Sequence, residues 1–354
     1  MKRIFVILAV ATALVSCNSH RVVISGDVLG VEDGTIYLTE PTRNGAVIDS
    51  TLISGGKFVF KLDDAAPEFY AIKSAEGVIT MLYTESGKIT VAGNVDNSSV
   101  TVTGTAANEA LGKFNEDMTL INQRYAQAAD DNQRAEIRAE YDTFLDSTVE
   151  SNLGNIFGVS LFIDTKGYEL SAAEMIAKLE SLSQEMKALP VVAQTVEKCN
   201  RKMRTEPKSE GSDFVPTYIN IEQPNVDGQM VSLQSIVEKK GNKYVLLDFW
   251  ASWCGPCMGE MPYLKEAYAK YHKKGFEIYG VSFDRNADAW KGAIKKQGMQ
   301  WVNVSLLESF NNQAATDYVV ESIPTNFLID CSNGEIIAKN LRGEAVLEKL
   351  AELL

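Results

Sequence analysis

Two thiols stand three positions apart in Trp253-Cys254-Gly255-Pro256-Cys257, a spacing at which cysteines can open and close as a disulfide and so carry two electrons. Half of a structural zinc site is the alternative use of such a pair, but zinc needs four ligands. No second pair follows, and the only histidines are His20 and His272. Ahead of the motif, the apolar run Tyr244-Val245-Leu246-Leu247-Asp248-Phe249-Trp250 predicts a buried strand; behind it, residues 256–273 predict a helix. Cys254 is therefore expected at a helix N-terminus, where unpartnered N–H groups and the positive dipole end favour a thiolate.

Three textures position this motif. Residues 22–104 carry short alternating runs such as Lys57-Phe58-Val59-Phe60 and Lys88-Ile89-Thr90-Val91 between Gly, Asn and Asp turns, which predicts a small antiparallel β-sandwich or barrel. Residues 105–204 change to a helical period. Leu111, Phe114, Met118, Ile121 and Tyr125 form one apolar stripe, and Ile137, Tyr141, Phe144 and Leu145 another. The stripes predict a helical hairpin or bundle, with a dimer or partner interface as the alternative. Residues 205–212 are polar with Pro and Gly and read as a linker. Residues 213–354 then alternate strands (244–250, 276–282, 326–330, 335–339) with helices (256–273, 286–298, 311–319, 344–354), an α/β layer with a central mixed sheet.

The first residues bear on location. Lys2 and Arg3 precede a short apolar run from Ile4 to Val15, and Leu14-Val15-Ser16-Cys17 resembles a bacterial lipoprotein signal, which implies cleavage before Cys17 and its lipidation. An ordinary secretory signal is the alternative. The run is too short to span a bilayer, whereas several acyl chains would anchor the protein stably. The expected site is the bacterial cell envelope, lipid-anchored and facing the periplasm, where disulfides persist. Net charge is −13, and the mature chain, without Lys2 and Arg3, falls to −15, a balance that argues against nucleic acid as a partner.

The carboxy-terminal 140 or so residues resemble thioredoxin and, more closely, the membrane-tethered TlpA/ResA-type thiol-disulfide oxidoreductases. The resemblance rests on residues 248–257, on the C-x-x-C-x-x-E-x-P run ending at Glu260 and Pro262, and on Ile323-Pro324-Thr325-Asn326-Phe327-Leu328-Ile329-Asp330. The amino-terminal part looks like the β-rich domain of unknown function that precedes such modules in Bacteroides-like lipoproteins. The resemblance implies a cis Ile323-Pro324 bond facing the cysteines, and a loop that offers backbone groups to an extended substrate segment.

On this reading Cys254 attacks a substrate disulfide and Cys257 resolves the mixed disulfide. Lowering a thiol pKa from about 8.5 to about 7 multiplies the thiolate fraction roughly 15-fold and cuts intrinsic nucleophilicity about 5-fold, so redox poise gains at least as much as speed. Cys257 needs a base. Asp248, an acid inside an apolar strand, is the first candidate, although many TlpA/ResA-like chains place Asn there; Glu260 is the second. A structural buried acid and a solvated helix charge are their respective alternatives.

Trp253 is expected to wall Cys254, with core packing as the alternative, and Gly255 and Pro256 complete the substrate face with Ile323 and Pro324. Pro262 is expected to kink its helix. His272 reads as a surface residue, and Cys199 and Cys331 as incidental thiols, with a mutual bridge or auxiliary redox role as the alternative. No cofactor or metal is implied beyond the Cys254-Cys257 disulfide. Expected partners are disulfide-containing envelope proteins, a membrane thiol reductase as electron donor, and the membrane itself. Two competing functions are a thiol peroxidase, suggested by Val281-Ser282-Phe283-Asp284 but lacking P-x-x-x-T-x-x-C around Cys254, and a partner-binding lipoprotein with an accessory redox domain.

Overall fold

The computed structural model describes residues 21–41, 45–63, 65–207 and 215–354; Cys17, His20 and residues 208–212 lie outside them. These residues form two compact units, one holding the described residues up to Ser171 with Ala177–Thr195, the other holding Ala172–Ile176 and Val196–Leu354. Among the described residues, no helix is long and apolar enough to cross a membrane.

Eight strands open the first unit: β1 (Val22–Leu29), β2 (Gly34–Thr39), β3 (Val47–Ile53), β4 (Lys57–Leu62), β5 (Glu68–Lys73), β6 (Val78–Thr84), β7 (Gly87–Asn94) and β8 (Thr101–Thr103). They make two four-stranded sheets, ordered β4-β1-β7-β8 and β3-β2-β5-β6. Alternation along the strands buries one side chain in two, so Phe58 and Phe60 enter a core with Ile24, Ile36, Leu38 and Ile89 while Val59 stays outside. The architecture is thus a two-sheet sandwich with one departure from antiparallel pairing: β1 and β7 run parallel. Parallel neighbours need a long crossover, which β2 to β6 supply.

Six helices follow: α1 (Ala106–Gln127), α2 (Asp131–Asn152), α3 (Ile156–Lys166), α4 (Ala172–Glu180), α5 (Gln184–Lys187) and α6 (Pro190–Thr205). The two stripes meet as a helical hairpin, with Phe114 stacked on Phe144 at 5.6 Å between ring centroids. Asp130 caps α2 by accepting the Gln133 N–H, and Asn155 caps α3 by accepting that of Gly158. Gly158 is required there, since a Cβ would lie 2.1 Å from the Asn152 carbonyl oxygen.

The two compact units divide ahead of residues 205–212, where the linker is expected. Helix α6 runs through Thr205, whose hydroxyl bonds back to the Arg201 and Lys202 carbonyls. The units divide inside α4 and α6 because the last turns of α6 belong to the second unit, where Lys198 pairs with Glu321 at 2.5 Å and Glu206 with Lys339 at 2.6 Å.

The second unit continues with β9 (Glu222–Pro224), β10 (Met230–Ser232), α7 (Leu233–Val237), β11 (Tyr244–Trp250), α8 (Gly255–Tyr271), β12 (Phe276–Ser282), α9 (Ala287–Gln297), β13 (Val302–Val304), α10 (Gln313–Asp317), β14 (Thr325–Asp330), β15 (Ile336–Lys339) and α11 (Glu344–Leu353). Its five-stranded sheet is ordered β13-β12-β11-β14-β15, with β11, β12 and β13 parallel and β14 and β15 antiparallel to their neighbours. This is a mixed sheet of the thioredoxin-like kind. Helix α8 is continuous through Pro262. Gly280 lets Trp250 donate to Asn303 at 3.1 Å, because a Cβ there would meet the Asn303 Oδ1 at 2.5 Å.

Within the first unit, Asn108 at the start of α1 acts as a one-residue strand on the β6 edge: it accepts the Tyr83 N–H at 2.9 Å and donates to the Tyr83 carbonyl at 2.8 Å. Asn108→Ala strands both buried groups, and should lower the unfolding free energy of this unit by ~2–3 kcal/mol, readable as a shift in its urea midpoint.

Candidate active site

Strand β11 is buried along its length between β12 and β14, and at its carboxyl end the chain turns through Ala251, Ser252 and Trp253 into α8. Cys254 is the N-cap of α8, and its Sγ accepts the Cys257 N–H at 3.1 Å. The two sulfurs are joined as a disulfide. Cys254 is 4% and Cys257 1% exposed, so in the oxidised form both lie in a site that is nearly closed. Trp253 is 57% exposed, which removes core packing as its role. Gly255 and Pro256 begin the helix beside it and are exposed.

The loop ahead of Cys254 is held by a residue whose part was not foreseen. Asp284, buried just past β12, accepts the Ser252 N–H at 3.0 Å and the Ser252 hydroxyl at 2.5 Å, and takes a third bond from the Ser282 hydroxyl at 2.7 Å. Its segment had suggested a peroxidase; here Asp284 holds the chain two residues before the nucleophile candidate. The available signal was an acid directly after the apolar run of β12.

Asp248 lies in mid-β11, opposite Gly280 on one side and Asn326 on the other, and is 3% exposed. Loss of water pushes its carboxyl from an ordinary 3.8 up to about 7; the positive charge of Arg342 opposes that rise and the negative charge of Glu260 adds to it. Glu260 is half-buried on α8, and its Oε2 accepts the Gly343 N–H at 2.7 Å, so one of its oxygens is already committed to the backbone ahead of α11.

The Ile323-Pro324 bond is cis. Thr325 pairs opposite Phe249, so Ile323 and Pro324 enter β14 at the end of the sheet where β11 leaves for Cys254. The Pro324 carbonyl accepts from the Arg342 guanidinium. Arg342 was also missed from sequence.

The remaining candidates sit elsewhere. His272 caps the far end of α8, stacked on Tyr268, with Nδ1 3.1 Å from the Phe276 carbonyl. Cys199 and Cys331 are free thiols rather than a bridge, and burial raises both pKa values, that of Cys331 to about 11. Cys331 follows β14, at the opposite end of the sheet from the disulfide.

Residues 241–336 match a family described as thioredoxin-like, and residues 22–111 match a domain of unknown function, DUF4369. The thiol-disulfide oxidoreductase ResA of a Bacillus cereus strain is 32% identical over 155 residues, spanning 44% of this chain and 80% of that protein. Its Bacillus anthracis counterpart is 34% identical over 144 residues, spanning 39% and 78%. Among solved structures, the thioredoxin domain of a thiol-disulfide oxidoreductase from Bacteroides vulgatus is 34% identical, with a TM-score of 0.36, over 40% of this chain and 99% of that one.

The raised carboxyl makes a signed stability prediction. Below pH 3.8 Asp248 is protonated folded or unfolded; from there to about 7 only the folded chain keeps the proton; above that, folding must bury the charge. Wild-type stability should therefore fall as pH rises between those two values, by on the order of a few kcal/mol. Asp248→Asn should flatten that limb and be the more stable protein at pH 8, measured by denaturant unfolding at several pH values; a variant that tracks the wild type would mean Asp248 is not desolvated.

Proposed function

This chain belongs to the ResA-like family of thiol-disulfide oxidoreductases, and we propose that it works in the reducing direction, on disulfides of other envelope proteins. The observation that carries the reading is a cysteine pair at the N-terminus of α8, next to a strand that holds a carboxyl with a pKa near neutrality.

The Cys254 thiolate attacks one sulfur of the substrate disulfide, expelling the other as a thiolate and forming a mixed disulfide. Cys257, deprotonated, then attacks the Cys254 sulfur. Substrate leaves as a dithiol, and the enzyme is left in the Cys254-Cys257 disulfide form. Two electrons pass from enzyme to substrate, so a membrane thiol reductase must recharge the pair. The N–H of Cys257 pointing at the Cys254 sulfur supports Cys254 as the stabilised thiolate, while the deeper burial of Cys257 supports a need for a base.

Asp248 is the base we favour, since a carboxyl near 7 is half ionised at working pH and can accept the thiol proton without holding it. Glu260, with one oxygen engaged, is the second choice. Trp253, Gly255, Pro256, Ile323 and Pro324 would form the surface that receives the substrate, and a lipidated Cys17 would anchor the protein at the envelope, facing the periplasm.

The reducing direction rests on Gly255-Pro256, which places no histidine between the cysteines to stabilise the thiolate as strong oxidants do. Thioredoxin and DsbA differ by about 150 mV, or roughly 7 kcal/mol for two electrons. Equilibrating the pair against a dithiothreitol buffer should give a potential below about −230 mV. A value near that of DsbA, with the pair oxidised in cells, would reverse the direction.

Substrates can be caught directly. In Cys257→Ala the mixed disulfide on Cys254 has no internal route to resolution, so partners should accumulate as adducts stable to non-reducing electrophoresis and released by dithiothreitol. Equal accumulation on Cys254→Ala would mean that the nucleophile has been misassigned.

A further inference from the structure

Residues 340–343, which join β15 to α11, touch both halves of the site. The turn is sharply folded, with Asn340 and Gly343 both at positive φ, 56° and 54°. Buried Asn326, two residues past Pro324, bonds both backbone groups of Leu341, donating to its carbonyl and accepting its N–H at 2.9 Å each. Its own carbonyl accepts the Asn340 N–H at 2.8 Å. On the other flank, the Gly343 N–H reaches Glu260, three residues past Cys257 on α8. The guanidinium of Arg342 spans the middle: it donates to the Leu341 carbonyl at 3.0 Å, to the Asn340 side chain at 3.3 Å, and to the Pro324 carbonyl.

We propose that Arg342 is a positioning residue that holds the Pro324 carbonyl, and with it the Ile323-Pro324 loop, at a set distance from the helix bearing Cys254 and Cys257. This rests on the reading of that loop as the substrate face. The planar fork holds its donors in fixed directions toward three acceptors on two chain segments; a lysine ammonium at the same place keeps the charge but loses that preset geometry. A loop held before the substrate arrives has less freedom to lose on binding, so the clamp acts on affinity. The charge of Arg342 has a second effect. It opposes the burial of Asp248, against which Glu260 is the other charged group acting, so losing it should leave the Asp248 carboxyl protonated to higher pH.

Two variants of the full chain separate fork from charge. With insulin as substrate and dithiothreitol as donor, Arg342→Lys should raise KM about tenfold with kcat nearly unchanged, and should leave the Asp248 titration where it is. Arg342→Gln should raise KM similarly and also move that titration upward, followed by infrared difference spectroscopy with Asp248→Asn identifying the band. Far-UV circular dichroism checks that both fold.

An unchanged KM in Arg342→Lys overturns the clamp, and so does a loss confined to melting temperature. The underlying reading fails by a different measurement. If residues 322–325 gain no hydrogen-exchange protection in the mixed disulfide of Cys257→Ala, the loop does not face substrate, whatever Arg342 does.

Discussion

Burial of β11 is the constraint from which the carboxy-terminal site follows. The strand is paired on both edges and covered on both faces, so Phe249 packs among Phe283, Tyr318 and Phe327, and Trp250 spends its one donor on Asn303. Such a strand leaves the sheet in one defined direction, and α8 must start there. The same burial strips water from Asp248, a cost that an apolar residue at that position would avoid. A carboxyl kept in so unfavourable a place, on the strand that leads to the redox pair, suits the proton transfer proposed for it near neutral pH.

Around that strand, the mobile parts of the chemistry are tied down by polar contacts between loops. Asp284 secures Ser252 ahead of Cys254, Glu260 bonds the backbone at Gly343, and Arg342 with Asn326 ties the Pro324 segment to the turn before α11. Each bond joins parts of the chain far apart in sequence. Those made by the Asp284, Glu260 and Arg342 side chains are charge-assisted, worth more than neutral ones such as the Asn326 pair, and directional, which is what setting sulfur and loop geometry requires.

The first unit is built on other terms. Its sandwich is stabilised by alternating aliphatic and aromatic side chains between two sheets, and Asn108 closes part of one edge at Tyr83 where a further strand would otherwise pair. The helical hairpin is held by ring contacts among Phe114, Phe144 and Phe157.

Periodicity and local spacing by themselves determined much. The limits of β11 and β12, the start of α8 at the cysteine pair and the sandwich alternation around Phe58 and Phe60 all depend on a residue and its near neighbours in the chain, and the apolar run around Asp248 signals the burial that the assembled sheet then imposes. Tertiary structure alone decided the rest. The parallel pairing of β1 with β7 depends on a crossover of five strands; β9, β10 and β13, at three residues each, are too short to show a period. Asp284, Asn326 and Arg342 read locally as ordinary polar residues of strand ends and turns. What gives each its part is a partner 15 to 32 positions away, brought within hydrogen-bonding reach only when the sheet assembles.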